Sequence, residues 1–94
     1  MSEIKQDAIL SQRLLDAQVG VLGSMLIDSR CVGEVVDLLK PEDFYLPQNR
    51  DIYETIYSMF NFSETIDPVT VVDKMRERGV FGDKSVEYVM QLME

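Results

Sequence analysis

Lys40-Pro41-Glu42-Asp43-Phe44-Tyr45-Leu46-Pro47, continuing through Arg50 to Ile52-Tyr53, divides the chain and decides its fold. Proline pushes the residue before it out of the α region, so a helix arriving from the amino-terminal side must stop at Lys40. Pro47 lacks an N–H that the first turn of a helix leaves unsatisfied anyway, and its fixed φ suits the start of a new helix. Between the two prolines, Phe44 and Tyr45 are both expected to be buried at the corner. Glu42 and Asp43 solvate the turn or favour the amino end of a short helix. Nothing in the stretch has catalytic content.

Upstream, residues 1 to about 10 show little pattern and read as a loose lead-in, with the helical domain spanning residues 11–94. The first helix is expected from about Ser11 to Ile27, with Leu14, Val21, Leu22, Met25 and Leu26 on one face. Gly20 and Gly23 each cost a helix interior roughly 1 kcal/mol relative to alanine. Close approach of a neighbouring helix would offset that cost, with Ala17 and Ser24 extending the small-residue surface; the plainer alternative is a weakly formed helix end. Asp28 or Ser29 can cap a second helix carrying Val32, Val35, Val36 and Leu39.

Downstream of Pro47, a helix to about Phe60 places Ile52, Ile56 and Met59 on one stripe and Tyr53, Tyr57 and Phe60 on the next, the signature of a central helix. Asp67 as N-cap with Pro68 at the first helical position opens another. Lys74, Arg76 and Arg78 suit its carbonyl end, and Gly79 suits a left-handed C′ position with Val80 against Met75. After a turn at Gly82-Asp83, a last helix opens near Ser85, with Val86, Val89, Met90 and Met93 in register, and the chain reaches Glu94 with that pattern still running. The expectation is an all-α fold, a compact bundle of about five to six short helices.

Composition narrows the function. Seventeen acidic against nine basic residues give a net charge of −8, which repels phosphate backbones and argues against direct nucleic-acid binding by this domain. Lys74, Arg76 and Arg78 are the only candidates for a basic patch, and they read as ordinary helix-end charges. A single cysteine, Cys31, allows no intrachain disulfide and fits a reducing cytoplasm. The nearly apolar run from Val19 to Ile27 is too short to span a bilayer, and no signal segment opens the chain.

No histidine is present, so zinc sites and Cys/His nucleophile pairs are excluded. Gly82-Asp83-Lys84-Ser85 lacks the glycines that a phosphate-binding loop needs, and no strand precedes it. A calcium loop starting at Asp28 fails because Arg30 and Val32 stand where oxygen ligands belong. Cys31, among valines, reads as a small buried hydrophobe, and the methionines at 25, 59, 75, 90 and 93 as core filler. No catalytic, cofactor-binding or metal-binding residue is assigned, and the chain reads as an interaction module, not an enzyme.

From about Leu15 to Met93 the sequence resembles the amino-terminal domain of the DnaB-type replicative DNA helicases of bacteria. The resemblance rests on Asp16-Ala17-Gln18, Val21-Leu22-Gly23-Ser24-Met25-Leu26-Ile27-Asp28, Glu34-Val35-Val36 leading to Leu39, and the stretch from Lys40 to Tyr45 with Arg50, Ile52-Tyr53 and Ile56. It continues in Ile66-Asp67-Pro68-Val69-Thr70-Val71 and Arg78-Gly79. It implies a parent that uses ATP and magnesium in a carboxy-terminal RecA-like motor, absent from this chain, to unwind DNA as a hexameric ring in the cytoplasm. This domain would then support contacts with other helicase subunits, with a DnaG-type primase and, in some lineages, with a helicase loader. Asp16 and Tyr88 match positions near such contact surfaces; otherwise they are a solvated acid and a half-buried helix aromatic.

The alternative is a free-standing helical adaptor that binds a replicative helicase or primase. Three departures stand out. Ser11-Gln12-Arg13-Leu14-Leu15 replaces a proline-containing lead. Gln18 and Val19 replace the family's usual acid and glutamine, altering an edge where partner contacts would be made. Lys84-Ser85 replaces a paired glycine, which stiffens that turn.

Overall fold

One long helix, α1 (Ser2–Ile27), forms the spine of a computed structural model of the chain, which describes residues 2–80, 82 and 84–94, with side chains outside 2–8 and Ser11. It is followed by α2 (Val32–Leu38), α3 (Pro47–Asn61), α4 (Pro68–Arg78) and α5 (Ser85–Leu92). Single 3-10 turns occupy Ser29–Cys31 and Pro41–Asp43, and no strand occurs among the described residues. The fold is the all-α bundle expected, with five α-helices among the described residues. Asp83, assigned to a turn from sequence, lies outside the described residues.

Residues 2–10 are not loose but continue α1. No glycine or proline interrupts the chain before Gly20, so nothing in the local sequence breaks the helix. At 1.5 Å per residue α1 is about 39 Å long, against a longest molecular extent of 47 Å. Leu10 is 61% and Leu14 53% exposed, so Leu14 is not on the buried face expected for it.

The core forms where α3 crosses the other elements. Ile52, Tyr53, Ile56 and Met59 of α3 meet Leu22, Met25 and Leu26 of α1, Val32 of α2, Val71 and Met75 of α4, and Val89 and Leu92 of α5. Phe44 is fully buried and stacks on Tyr53, with ring centroids 4.5 Å apart. Tyr45 is 70% exposed, against the expectation that both aromatics would be buried. The backbone at Phe44 is extended (φ −85°, ψ 124°), and successive side chains on an extended chain point to opposite sides. The turn can therefore bury one ring and must present the other.

The Tyr53 hydroxyl donates to the Leu39 carbonyl at 2.6 Å, closing the end of α2 where Pro41 forbids continuation. Burial pushes this hydroxyl up to about 12, with Tyr57 and Asp43 adding negative charge nearby. Asp43 accepts from the Lys40 N–H at 2.8 Å, so the acid after Pro41 fastens its own turn. Asp28 accepts from the Arg30 N–H and guanidinium, which holds its carboxyl below the usual range.

Helix α4 is bounded at both ends by its own sequence. Asp67 Oδ1 accepts from the Thr70 N–H at 2.9 Å and Thr70 Oγ1 from the Asp67 N–H at 3.0 Å, with Pro68 at the first position. Gly79 has φ 75°, and the N–H groups of Gly79 and Val80 donate to the carbonyls of Arg76 and Met75, a Schellman closure.

The small-residue surface on α1 divides in two. A Cβ on Gly23 would run into the Leu92 carbonyl of α5, its carbon lying 3.1 Å away, whereas nothing lies within 4 Å of one on Gly20. Ala17 and Ser24 are exposed, so only Gly23 meets a neighbouring helix. The same contact sets the rotation of α5. Val89 and Leu92 face inward, while Val86 and Met90, expected in the buried register, are exposed beside α4.

Candidate partner-docking surface

Among the described residues no three histidine, cysteine or carboxylate side chains are grouped to hold a metal ion. What the surface offers is contact chemistry. The left-handed turn at Gly79 swings the chain away from α4, and Ser85 Oγ then accepts from the Gly82 N–H at 2.8 Å to start α5. Between that turn, α5 and the first turns of α3 lies a cleft of about 310 Å³. Ile52, Met75, Val80 and the Tyr88 ring give it an apolar lining, with Asp51, Glu87 and Lys84 among its polar residues.

Tyr88 is half-buried in this cleft, and its hydroxyl donates to Asn49 Oδ1, a fully buried amide in the first turn of α3. The ring is thus held in place from behind. Asp16 sits elsewhere, exposed on α1, where it accepts from Gln12 Nε2 at 2.9 Å. It does not line the Tyr88 cleft, so the two residues do not form one site.

The cations near the end of α4 are occupied. Lys74 lies 3.1 Å from Glu64 and 3.5 Å from Glu77, and the Glu64 hydrogen bond holds its ammonium above the usual range. Arg76 lies 3.6 Å from Asp73, and Arg78 pairs with Glu54 at 3.3 Å while donating to Thr55 Oγ1 at 2.6 Å. Each stands against a local carboxylate.

Gln18 has a role that the sequence did not disclose. Only 7% exposed, it accepts from the Tyr45 N–H at 3.1 Å and donates to the Asp43 carbonyl at 2.7 Å. One amide thereby clasps the backbone on both sides of Phe44. Read from sequence as a change at a contact edge, it is an internal fastening. The available signal was chemical: where an acid can only accept, glutamine can do both. Gln18→Glu is therefore expected to lower stability by about 2 kcal/mol, since the Asp43 carbonyl loses its donor and faces a carboxylate. Urea melts at neutral pH test this, and an unchanged midpoint would mean the clasp contributes nothing.

The remaining site residues are architectural. Pro41 and Pro47 start the 3-10 turn and α3, Asp67 and Pro68 start α4, and Gly79 ends it. Gly20 is open to solvent and Gly23 is covered.

Comparison with known proteins supplies the context. The family model for the DnaB-like helicase N-terminal domain matches residues 11–94. The replicative DNA helicase DnaB of Leifsonia xyli subsp. xyli is 33% identical over 63 residues, 67% of this chain and 14% of that protein. That of Mycobacterium leprae is 33% identical over 66 residues, 70% of this chain and 11% of that protein. The chain thus spans about a seventh or less of these two relatives. The crystal structure of the N-terminal domain of DnaB helicase from Mycobacterium tuberculosis aligns with a TM-score of 0.73 at 31% identity, covering 82% of this chain and 56% of that one.

Proposed function

The chain belongs to the family of DnaB-like helicase N-terminal domains, and from that membership we propose that it is the scaffold and partner-docking domain of a replicative DNA helicase. The observation that carries this is the joint match in sequence and fold across most of the chain. In this reading the parent unwinds duplex DNA at the replication fork in the cytoplasm, using ATP and magnesium in a RecA-like motor outside these residues. The domain itself performs no bond-making step. It contributes surfaces for ring assembly and for recruiting a DnaG-type primase, and in some lineages a helicase loader.

The Tyr88 cleft suits such a role. A ring braced by Asn49 and flanked by Asp51 and Glu87 can receive an apolar anchor accompanied by a basic side chain. Asp16 would act separately, as an exposed charge on α1.

The direct test is a calorimetric titration of the chain with the helicase-binding domain of a DnaG-type primase. Binding that weakens with Tyr88→Ala supports the proposal; no heat at about 100 µM of each partner, where a contact of micromolar affinity saturates, counts against it. The coding sequence after Glu94 gives a second test. A linker followed by Gly-x-x-x-x-Gly-Lys-Ser/Thr is expected, whereas a stop codon there favours a free-standing adaptor.

Two absences of activity are expected of the 94-residue chain. It should not turn over ATP above background, and it should not bind single-stranded DNA at about 150 mM salt, because a net charge of −8 opposes a polyanion. Submicromolar binding by fluorescence anisotropy in that salt would contradict the electrostatic argument.

A further inference from the structure

We propose that Asn49 is the positioning residue of the docking cleft: it leaves half of its own amide unsatisfied in order to hold the Tyr88 ring in one rotamer before any partner arrives. The proposal deepens the docking reading above and rests on it for the identity of the partner.

The buried polar side chains set the contrast. Among the described residues these are Gln18, Asn49 and Thr55. Gln18 donates to the Asp43 carbonyl and accepts from the Tyr45 N–H. Thr55 donates to the Asp51 carbonyl and accepts from the Arg78 guanidinium. Both use donor and acceptor together to tie chain segments to one another. Asn49, at 0% exposure, accepts from the Tyr88 hydroxyl and leaves Nδ2 with no partner among the described residues. An amide carries two N–H donors beside its carbonyl oxygen. Turning it over would set Nδ2 on the Tyr88 oxygen and strand Oδ1 instead, so one end stays unsatisfied either way.

A buried donor without a partner lowers stability, and an apolar side chain in the same place would carry no such penalty. The amide does little for the interior, because its one bond runs outward to a half-buried ring that lines the cleft. Helix α5 does not depend on that bond for its seat: Val89 and Leu92 are buried, and Leu92 lies against Gly23. What the bond fixes is the Tyr88 side chain, which forms one wall of the cleft with Ile52, Met75 and Val80. Without an anchor the ring would move among rotamers and reshape that wall. Ordering a mobile side chain at an interface opposes binding, so a ring already held by Asn49 raises affinity although Asn49 touches no partner.

The test is a cycle on the whole chain: Asn49→Leu, Tyr88→Phe and the two together. Three-bond NMR couplings on labelled aromatic residues should show a single χ1 rotamer at position 88 in the unaltered chain and averaging in all three variants. Tyr88→Phe should lower the thermal midpoint by about 5 °C, because it strands the whole amide, and by less than about 2 °C in the Asn49→Leu background. In calorimetric titrations with the helicase-binding domain of a DnaG-type primase, each single variant should weaken binding about three- to tenfold. The double variant should weaken it no more than either single one, because all three remove the same bond.

A single rotamer at position 88 in Asn49→Leu would overturn the proposal. So would losses of affinity that add in the double variant, or an Asn49→Leu chain that binds as tightly as the unaltered one while Tyr88→Ala does not. If the unaltered chain gives no heat with the primase domain, the docking reading fails, and the rotamer measurement still decides whether Asn49 positions Tyr88.

Discussion

Phe44→Ala is expected to lower the unfolding free energy by about 3 to 4 kcal/mol, the range for removing a fully buried ring that the surroundings cannot close over. Phe44 is 0% exposed, its ring stacks on Tyr53, and the backbone around it is clasped by Gln18. Those fastenings prevent the turn from collapsing inward, so the cavity should persist. Urea denaturation provides the measurement. A loss under about 1 kcal/mol would show that the turn relaxes, and that the clasp does not hold the segment against the core.

Gly23→Ala is the second large effect, and its sign is not obvious from sequence. Alanine in a helix interior gains about 1 kcal/mol over glycine. At Gly23 the new methyl group meets the Leu92 backbone carbonyl, which can yield only if the last turn of α5 shifts. Overpacking of that kind costs about 3 kcal/mol, so a net loss of about 2 kcal/mol is expected. Gly20→Ala, with open space around it, should instead stabilise by up to about 1 kcal/mol. Thermal melts of the two variants should move in opposite directions. A rise in both would mean that α5 is loosely seated.

These two positions show how much the sequence could disclose. Helix boundaries set by proline, capping acids and glycine were legible because the signal is local: Pro47, Asp67-Pro68 and Gly79 each act on their own backbone. The fate of Gly20 and Gly23 was not, because it depends on which side of α1 the fifth helix takes. Tyr45 was misplaced for a related reason. Hydrophobicity counts both aromatics equally, while the extended backbone between the prolines admits one to the core. The length of α1 was not legible because residues 2–10 combine good helix formers with no clear apolar periodicity.

The candidate surface was less legible than the fold. Tyr88 and Asp16 came from resemblance alone, and nothing in their neighbours' identities indicates that one lines a cleft while the other stands on the open helix. Asn49 and Gln18, the amides that position Tyr88 and Phe44, are unremarkable in sequence. They become informative only once chain segments 39 and 25 to 27 residues away are brought against them.

The contact between Gly23 and Leu92 also bears on how the domain is made. Helix α1 leaves the ribosome before α5, and 69 residues separate the two halves of that contact. At about 5 to 20 residues per second, the surface around Gly23 waits roughly 3 to 14 s for its cover. Through that interval the chain can form its middle helices but cannot complete its fold. Translation speed between Gly23 and Leu92 therefore sets how long the nascent chain presents this apolar flank to chaperones and to other nascent chains.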